Sequence, residues 1–132
     1  MDIMVKLGEG TKVSAHFGDF VLHSDQAVTA GGTGSAPEPF GYFLTGLATC
    51  AGYFVQRFCQ ARDIPTDQIQ IRMRNDWNAQ KHAPDNFYFE IQVGEDFPDK
   101  YLDAVIRAVN ECTVKKTILN QPNFAVTVRK AG

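Results

Sequence analysis

The residues with the widest chemical reach in this chain are three cysteines, Cys50, Cys59 and Cys112. A cysteine thiolate can attack an electrophilic oxygen or sulfur, and the sulfenic acid left after oxygen transfer condenses readily with a second thiol nearby. Three is an odd number, too few for a disulfide scaffold. In a chain with no recognisable export signal the thiols are expected to be reduced at rest. Any pairing among them is then chemistry rather than architecture. On residue type alone Cys50 can equally be a small hydrophobe in a core, a common fate of a cysteine. Other catalytic inventories are missing: there is no Gly-x-Ser-x-Gly elbow, no His-Glu-x-x-His and no Cys-x-x-Cys. His16, His23 and His82 are scattered through strands and loops, and neither a metal site nor a cofactor is assigned from them.

The element that must position Cys50 is the stretch from Ser35 to Arg62. Phe40, Phe43, Leu44, Leu47, Ala48, Ala51, Phe54, Val55 and Phe58 recur at three- and four-residue steps, the signature of one buried helical face. Ser35 and Glu38 have capping-box spacing, Pro39 suits a first helical turn, and Pro65 stops the helix near Asp63. Cys50 falls on the apolar stripe, whereas Cys59 is expected to face elsewhere. A second helix opens at Phe97-Pro98-Asp99-Lys100 and carries Tyr101, Ala104, Val105, Ala108, Val109 and Cys112 on one face, with Cys112 as its last buried position. Lys115 and Lys116 start a short further turn.

Around these helices the period changes to two. Ile3, Val5 and Leu7, then Val13, Ala15 and Phe17, then Phe20 and Leu22 form a three-stranded antiparallel meander with turns at Gly8-Glu9-Gly10 and Gly18-Asp19. The glycine-rich run Ala30–Ser35 lacks the residues of a phosphate loop and reads as a flexible strand-to-helix connection. Ile69, Ile71 and Met73 form a strand. A hairpin loop from Asn75 to Asn86 follows, with Trp77 as a loop anchor packed on the sheet, then a strand through Phe87, Phe89, Ile91 and Val93. Phe124, Val126 and Val128 form a last strand after Pro122. The expected class is α+β in the order βββ-α-ββ-α-β, one domain over residues 1–132.

A chain of 132 residues can bury a core without staples. Its net charge of −2 and only two adjacent basic pairs, Lys115-Lys116 and Arg129-Lys130, argue against nucleic acid as a partner. No run approaches the length of a membrane span, so no membrane partner is expected and a cytoplasmic location is. The meander and the long helix have more apolar surface than one small chain can cover, so a second copy is expected against them.

The segment Pro39-Phe40-Gly41-Tyr42-Phe43-Leu44-Thr45-Gly46-Leu47-Ala48-Thr49-Cys50-Ala51-Gly52, with Asp63-Ile64-Pro65, resembles the central helix of the OsmC/Ohr family, osmotically inducible and organic hydroperoxide resistance proteins. Glu111-Cys112-Thr113-Val114-Lys115-Lys116 resembles that family's second cysteine motif, ordinarily Cys-Pro-Val followed by a polar or basic pair. The resemblance implies an interlocked homodimer with long central helices and two interfacial active sites. It implies Cys50 as the thiolate that attacks a hydroperoxide and Cys112 as the resolving thiol, re-reduced by a small dithiol or lipoyl-type reductant. Two departures stand out. The glutamate and arginine that bind the peroxide in such proteins have no counterparts here. Phe40 and Gly41 occupy the glutamate's place, and no arginine precedes Arg57, which leaves Lys12 or His16 as substitute cations. The expectations are therefore a weak thiol peroxidase or, alternatively, a dimeric binding module for a small apolar or thiol-reactive ligand. With no cation in contact, Cys50 is expected to titrate at or above an ordinary thiol.

Overall fold

The computed structural model describes all residues from Met1 to Gly132. Two compact parts divide the chain, Met1–Gly46 and Leu47–Gly132. No helix is long and apolar enough to cross a membrane.

In the first part β1 (Met4–Leu7), β2 (Val13–Phe17) and β3 (Phe20–Ser24) form the expected meander, order β1-β2-β3, all antiparallel. The register pairs Val5 with Ala15 and Ala15 with Leu22 on one face, and Lys6 with Ser14 and Ser14 with His23 on the other. The turns are built on Gly10 and Gly18, both at positive φ.

The connection after β3 is not the flexible link its glycines suggested. It closes around Asp25, which is 1% exposed. The Oδ1 atom accepts from the Thr11 hydroxyl at 2.5 Å and the Gln26 N–H at 2.8 Å. The Oδ2 atom accepts from the N–H and hydroxyl of Thr33 at 3.3 and 2.7 Å, and from those of Ser35 at 3.1 and 2.7 Å. Six donors on one carboxylate hold it well below the usual carboxylate range, the Thr11 hydroxyl contributing most, followed by those of Thr33 and Ser35. Gly32 belongs to the same closure: a Cβ there would lie 2.0 Å from the Gln26 carbonyl oxygen, so no side chain fits.

This closure also undoes the expected capping box. The Ser35 hydroxyl is spent on Asp25, and the Glu38 carboxylate accepts the Ala27 N–H at 3.1 Å. The helix α1 starts at Pro39, where the absent N–H costs nothing, and runs to Gln60. It stops where Asp63 takes a left-handed φ of 53° and the Ile64 N–H turns back to the Cys59 carbonyl at 2.9 Å.

In the second part β4 (Gln70–Asn78) and β5 (Ala83–Gln92) form an antiparallel hairpin. Most of the expected loop is strand. Asn75 pairs with Phe87 and Asn78 with Ala83, with an irregularity at Asp76/Trp77. The turn is tight because the Asn78 side chain accepts the N–H groups of Gln80 and Lys81 and donates to Asp85. Trp77 therefore sits on a strand, more than half exposed, rather than anchoring a loop.

The core of this part joins Ala51, Val55, Phe58 and Cys59 of α1 to Phe97 and to Val105 and Val109 of α2 (Leu102–Val109). Cys59, expected to face elsewhere, is a fully buried member of it. The helix α2 is entered through a 3-10 turn, Asp99–Tyr101, and ends before Cys112, which instead precedes α3 (Thr113–Leu119). Past Leu119 the chain forms no strand. Phe124, Val126 and Val128 keep their alternation but are 89%, 94% and 98% exposed, because no strand of the chain pairs with this segment.

Candidate thiol site

Cys50 stands in the middle of α1, half-buried, on the shoulder of the face that carries Leu47, Ala51 and Val55. Cys112 is 1% exposed and is the N-cap residue of α3. None of the three cysteines is in a disulfide. Folding brings Cys50 and Cys112 together: the Cys112 thiol donates a hydrogen bond to the Cys50 sulfur. Cys59 takes no part.

The placement of Cys112 follows from how α2 ends. The Cys112 N–H closes the last turn onto the Val109 carbonyl at 3.1 Å, and the chain then leaves helical geometry, with Cys112 at φ −52° and ψ 119°. A new helix starts from that non-helical residue, so its first three N–H groups have no intrahelical carbonyl partner. The Lys115 N–H donates to Cys112 Sγ at 3.4 Å. The Lys116 N–H is the first to return to a helix carbonyl, that of Cys112, at 2.9 Å. Two side-chain pairs cross this corner: Lys115 Nζ to Asn110 Oδ1 and Lys116 Nζ to Glu111 Oε2, each 2.5 Å.

These contacts separate the two thiols electrostatically. Burial pushes Cys50 up, but the Val114 N–H, the Cys112 thiol and the Thr113 N–H together outweigh it and hold Cys50 below an ordinary thiol. Cys112 moves the other way, raised by burial and by its hydrogen bond to Cys50. One thiol ionises early and its neighbour keeps its proton. The expectation that Cys50 titrates at or above an ordinary thiol without a cation is thus corrected: the Val114 amide, the Cys112 thiol and the Thr113 amide lower it. Lys12 is exposed, and His16 shares a hydrogen bond with Ser14 Oγ at 3.1 Å. Cys59 is raised by burial, partly offset by Arg62.

A reactivity order follows. In iodoacetamide labelling mapped by mass spectrometry, Cys50 should be modified first and should titrate below an ordinary thiol, while Cys59 stays unlabelled in the folded protein. Equal labelling of Cys50 and Cys59 at pH 7 would contradict the order.

A family model described as OsmC-like protein matches residues 32–127. Among solved structures, the chain is similar to an OsmC-like protein from Mycoplasma pneumoniae, with TM-score 0.73 and 16% identity over 91% of this chain and 87% of that one. It is also similar to an organic hydroperoxide resistance protein, OsmC, from Legionella pneumophila, with TM-score 0.57 and 18% identity over 89% of each chain. The organic hydroperoxide resistance protein OhrB of Bacillus subtilis gives TM-score 0.54 and 16% identity over 92% and 93%. At these identities the likenesses establish the fold. No curated protein matches the chain in sequence.

Proposed function

The chain belongs to the OsmC-like family, and from that premise we propose that it is a thiol-dependent hydroperoxide reductase with Cys50 as nucleophile and Cys112 as resolving thiol. The observation that carries this reading is the hydrogen-bonded thiol pair in which Cys50 is held below, and Cys112 above, an ordinary thiol. The Legionella and Bacillus proteins of this fold are named for organic hydroperoxide resistance, which supports the same substrate class here.

The Cys50 thiolate attacks the terminal oxygen of R–O–O–H. The O–O bond breaks, R–O⁻ leaves and takes a proton from solvent, and Cys50 carries S–OH. The Cys112 thiol then attacks that sulfur, releasing water and closing the Cys50–Cys112 disulfide. Cys112 is suited to this second role because it is protonated while Cys50 is the attacking anion, and then gives up its proton once that charge is gone. A small dithiol of the lipoyl type returns both cysteines to thiols by exchange and leaves as its own disulfide. The test is consumption of an organic hydroperoxide in excess over protein with a dithiol present. Consumption at the dithiol-only rate would sink the proposal.

The working unit we propose is a homodimer in the cytoplasm. Leu7 and Phe20 of the meander are 85% and 66% exposed, and the alternating segment Phe124–Val128 has no partner strand in its own chain. Apolar faces of this extent are covered by association. Sedimentation at micromolar concentration should give a dimer that does not dissociate into folded monomers; a compact stable monomer would refute it.

A further inference from the structure

We propose that the cleft between β5 and α2 is a binding site for a linear organic anion, an alkyl carboxylate whose chain lies between strand and helix and whose head group meets Lys115. The site is separate from the reaction proposed above and does not rest on it. The cleft has a volume of about 290 Å³, at the lower edge of the range for small-molecule sites. One wall is Phe89, Ile91 and Val93, alternate residues along β5 and just past its end. The floor is Val105 and Val109 of α2, both buried. The outer lip is Leu102 and Ile106, four residues apart on α2 and 41% and 56% exposed. A helix at a protein surface ordinarily turns polar side chains to water, whereas α2 carries a second apolar ridge beside its buried one. The cleft is also long: from Leu102 to Asn110 the helix rises about 12 Å, and from Phe89 to Val93 the extended chain rises about 13 Å. A volume this small spread over that length suits one alkyl chain.

The chemistry of the lining changes at one end only. Asn110 and Lys115 close the cleft there, with Lys115 Nζ donating to Asn110 Oδ1 at 2.5 Å. Lys115 is half-buried and has no carboxylate partner, since the ion pairs of the chain are Lys81 with Asp85 and Lys116 with Glu111. The adjacent carboxylate is thus committed elsewhere. The last carbonyls of α2, which would oppose an anion, are occupied as well: those of Arg107, Ala108 and Val109 accept the N–H groups of Asn110, Glu111 and Cys112. A cation at the end of an apolar channel, matched only by a neutral amide, is complementary to an anion. A neutral chain would gain the apolar walls and nothing from the ammonium, and a cationic one would be repelled.

The test is isothermal titration calorimetry of the full chain with octanoate below its micellar range, with octylammonium and acetate as controls. Octanoate should bind at one site per chain. The controls, one lacking the charge and the other the chain, should each bind at least about tenfold more weakly. Lys115→Gln should weaken octanoate about tenfold, and Lys115→Arg should restore most of the affinity. Ile106→Ser, at the exposed lip, should weaken it about fivefold. Circular dichroism checks that each variant folds, and the ligand comparison needs no variant. Absence of octanoate binding overturns the proposal, and so does octylammonium binding as tightly or an unchanged affinity in folded Lys115→Gln. If a second copy of the chain fills the cleft instead, octanoate should not bind and Ile106→Ser should sediment as a monomer, which also overturns it. Binding is read without peroxide, so octanoate binding by a protein that consumes no hydroperoxide upholds the site and defeats only the reaction.

Discussion

Replacing Cys50 by serine should lower dithiol-dependent hydroperoxide consumption by more than about a thousandfold, whereas Cys112→Ser should leave the first oxidation intact and stop the cycle after one equivalent of peroxide. The two substitutions look alike and act on different steps. At Cys50 the hydroxyl cannot form an anion near neutral pH, so nothing attacks the O–O bond. At Cys112 serine is a good N-cap, and its oxygen can accept the Lys115 N–H that sulfur accepts now, so α3 should keep its start. What disappears is the thiol that condenses with the sulfenic acid. The readouts are residual peroxide at stoichiometric protein, and intact mass, where Cys112→Ser should gain oxygen on Cys50 and wild type should lose two hydrogens. Undiminished multiple turnover in Cys50→Ser would end the assignment.

The second large effect is expected far from any thiol. Asp25→Ala should lower the melting temperature by on the order of 10 °C, because it leaves six donors without the acceptor that organises them. Asp25→Asn should cost nearly as much, since its NH2 would face hydroxyl and amide donors where an oxygen is required. The wild-type protein should also be acid-sensitive in a predictable direction. The folded carboxyl titrates well below its unfolded value of about 3.9, so the unfolded chain binds the proton more tightly. The stability Asp25 contributes is fully present above about pH 4 and is lost as pH falls from there toward the folded value. The melting temperature of Asp25→Asn should therefore fall less steeply below about pH 4 than that of wild type, as circular dichroism would measure. Parallel slopes would show that Asp25 is not the titrating group.

Much of the architecture was legible because it rests on periodicity. The alternation in residues 3–22, the three- and four-residue steps of α1 and the alternation through Phe89 and Ile91 each report a face, and a face is what a β-strand or a helix must bury. What periodicity could not resolve was where one helix ends and the next begins. Cys112 fits the stripe of α2 by spacing, yet the chain turns at Asn110–Cys112 and Cys112 becomes a cap. The nearness of Cys50 and Cys112 was legible only through the resemblance of their two motifs, since residue type alone left Cys50 as a core hydrophobe. The lowered titration of Cys50 was not legible, since main-chain amides leave no mark in the sequence. Asp25 escaped for a related reason: its six partners come from Thr11, Gln26, Thr33 and Ser35, residues with no common period, assembled only when the loop closes. The hairpin was under-read because Asn75, Asp76 and Asn86 look like turn residues while their backbones continue the ladder.

The closure around Asp25 also bears on where this chain can be cut. A protease must draw extended backbone into its cleft, and a glycine-rich run is ordinarily easy to draw. Here that run is tied to one carboxylate from Gln26, Thr33 and Ser35, so it yields only when the hydrogen bonds to Asp25 open.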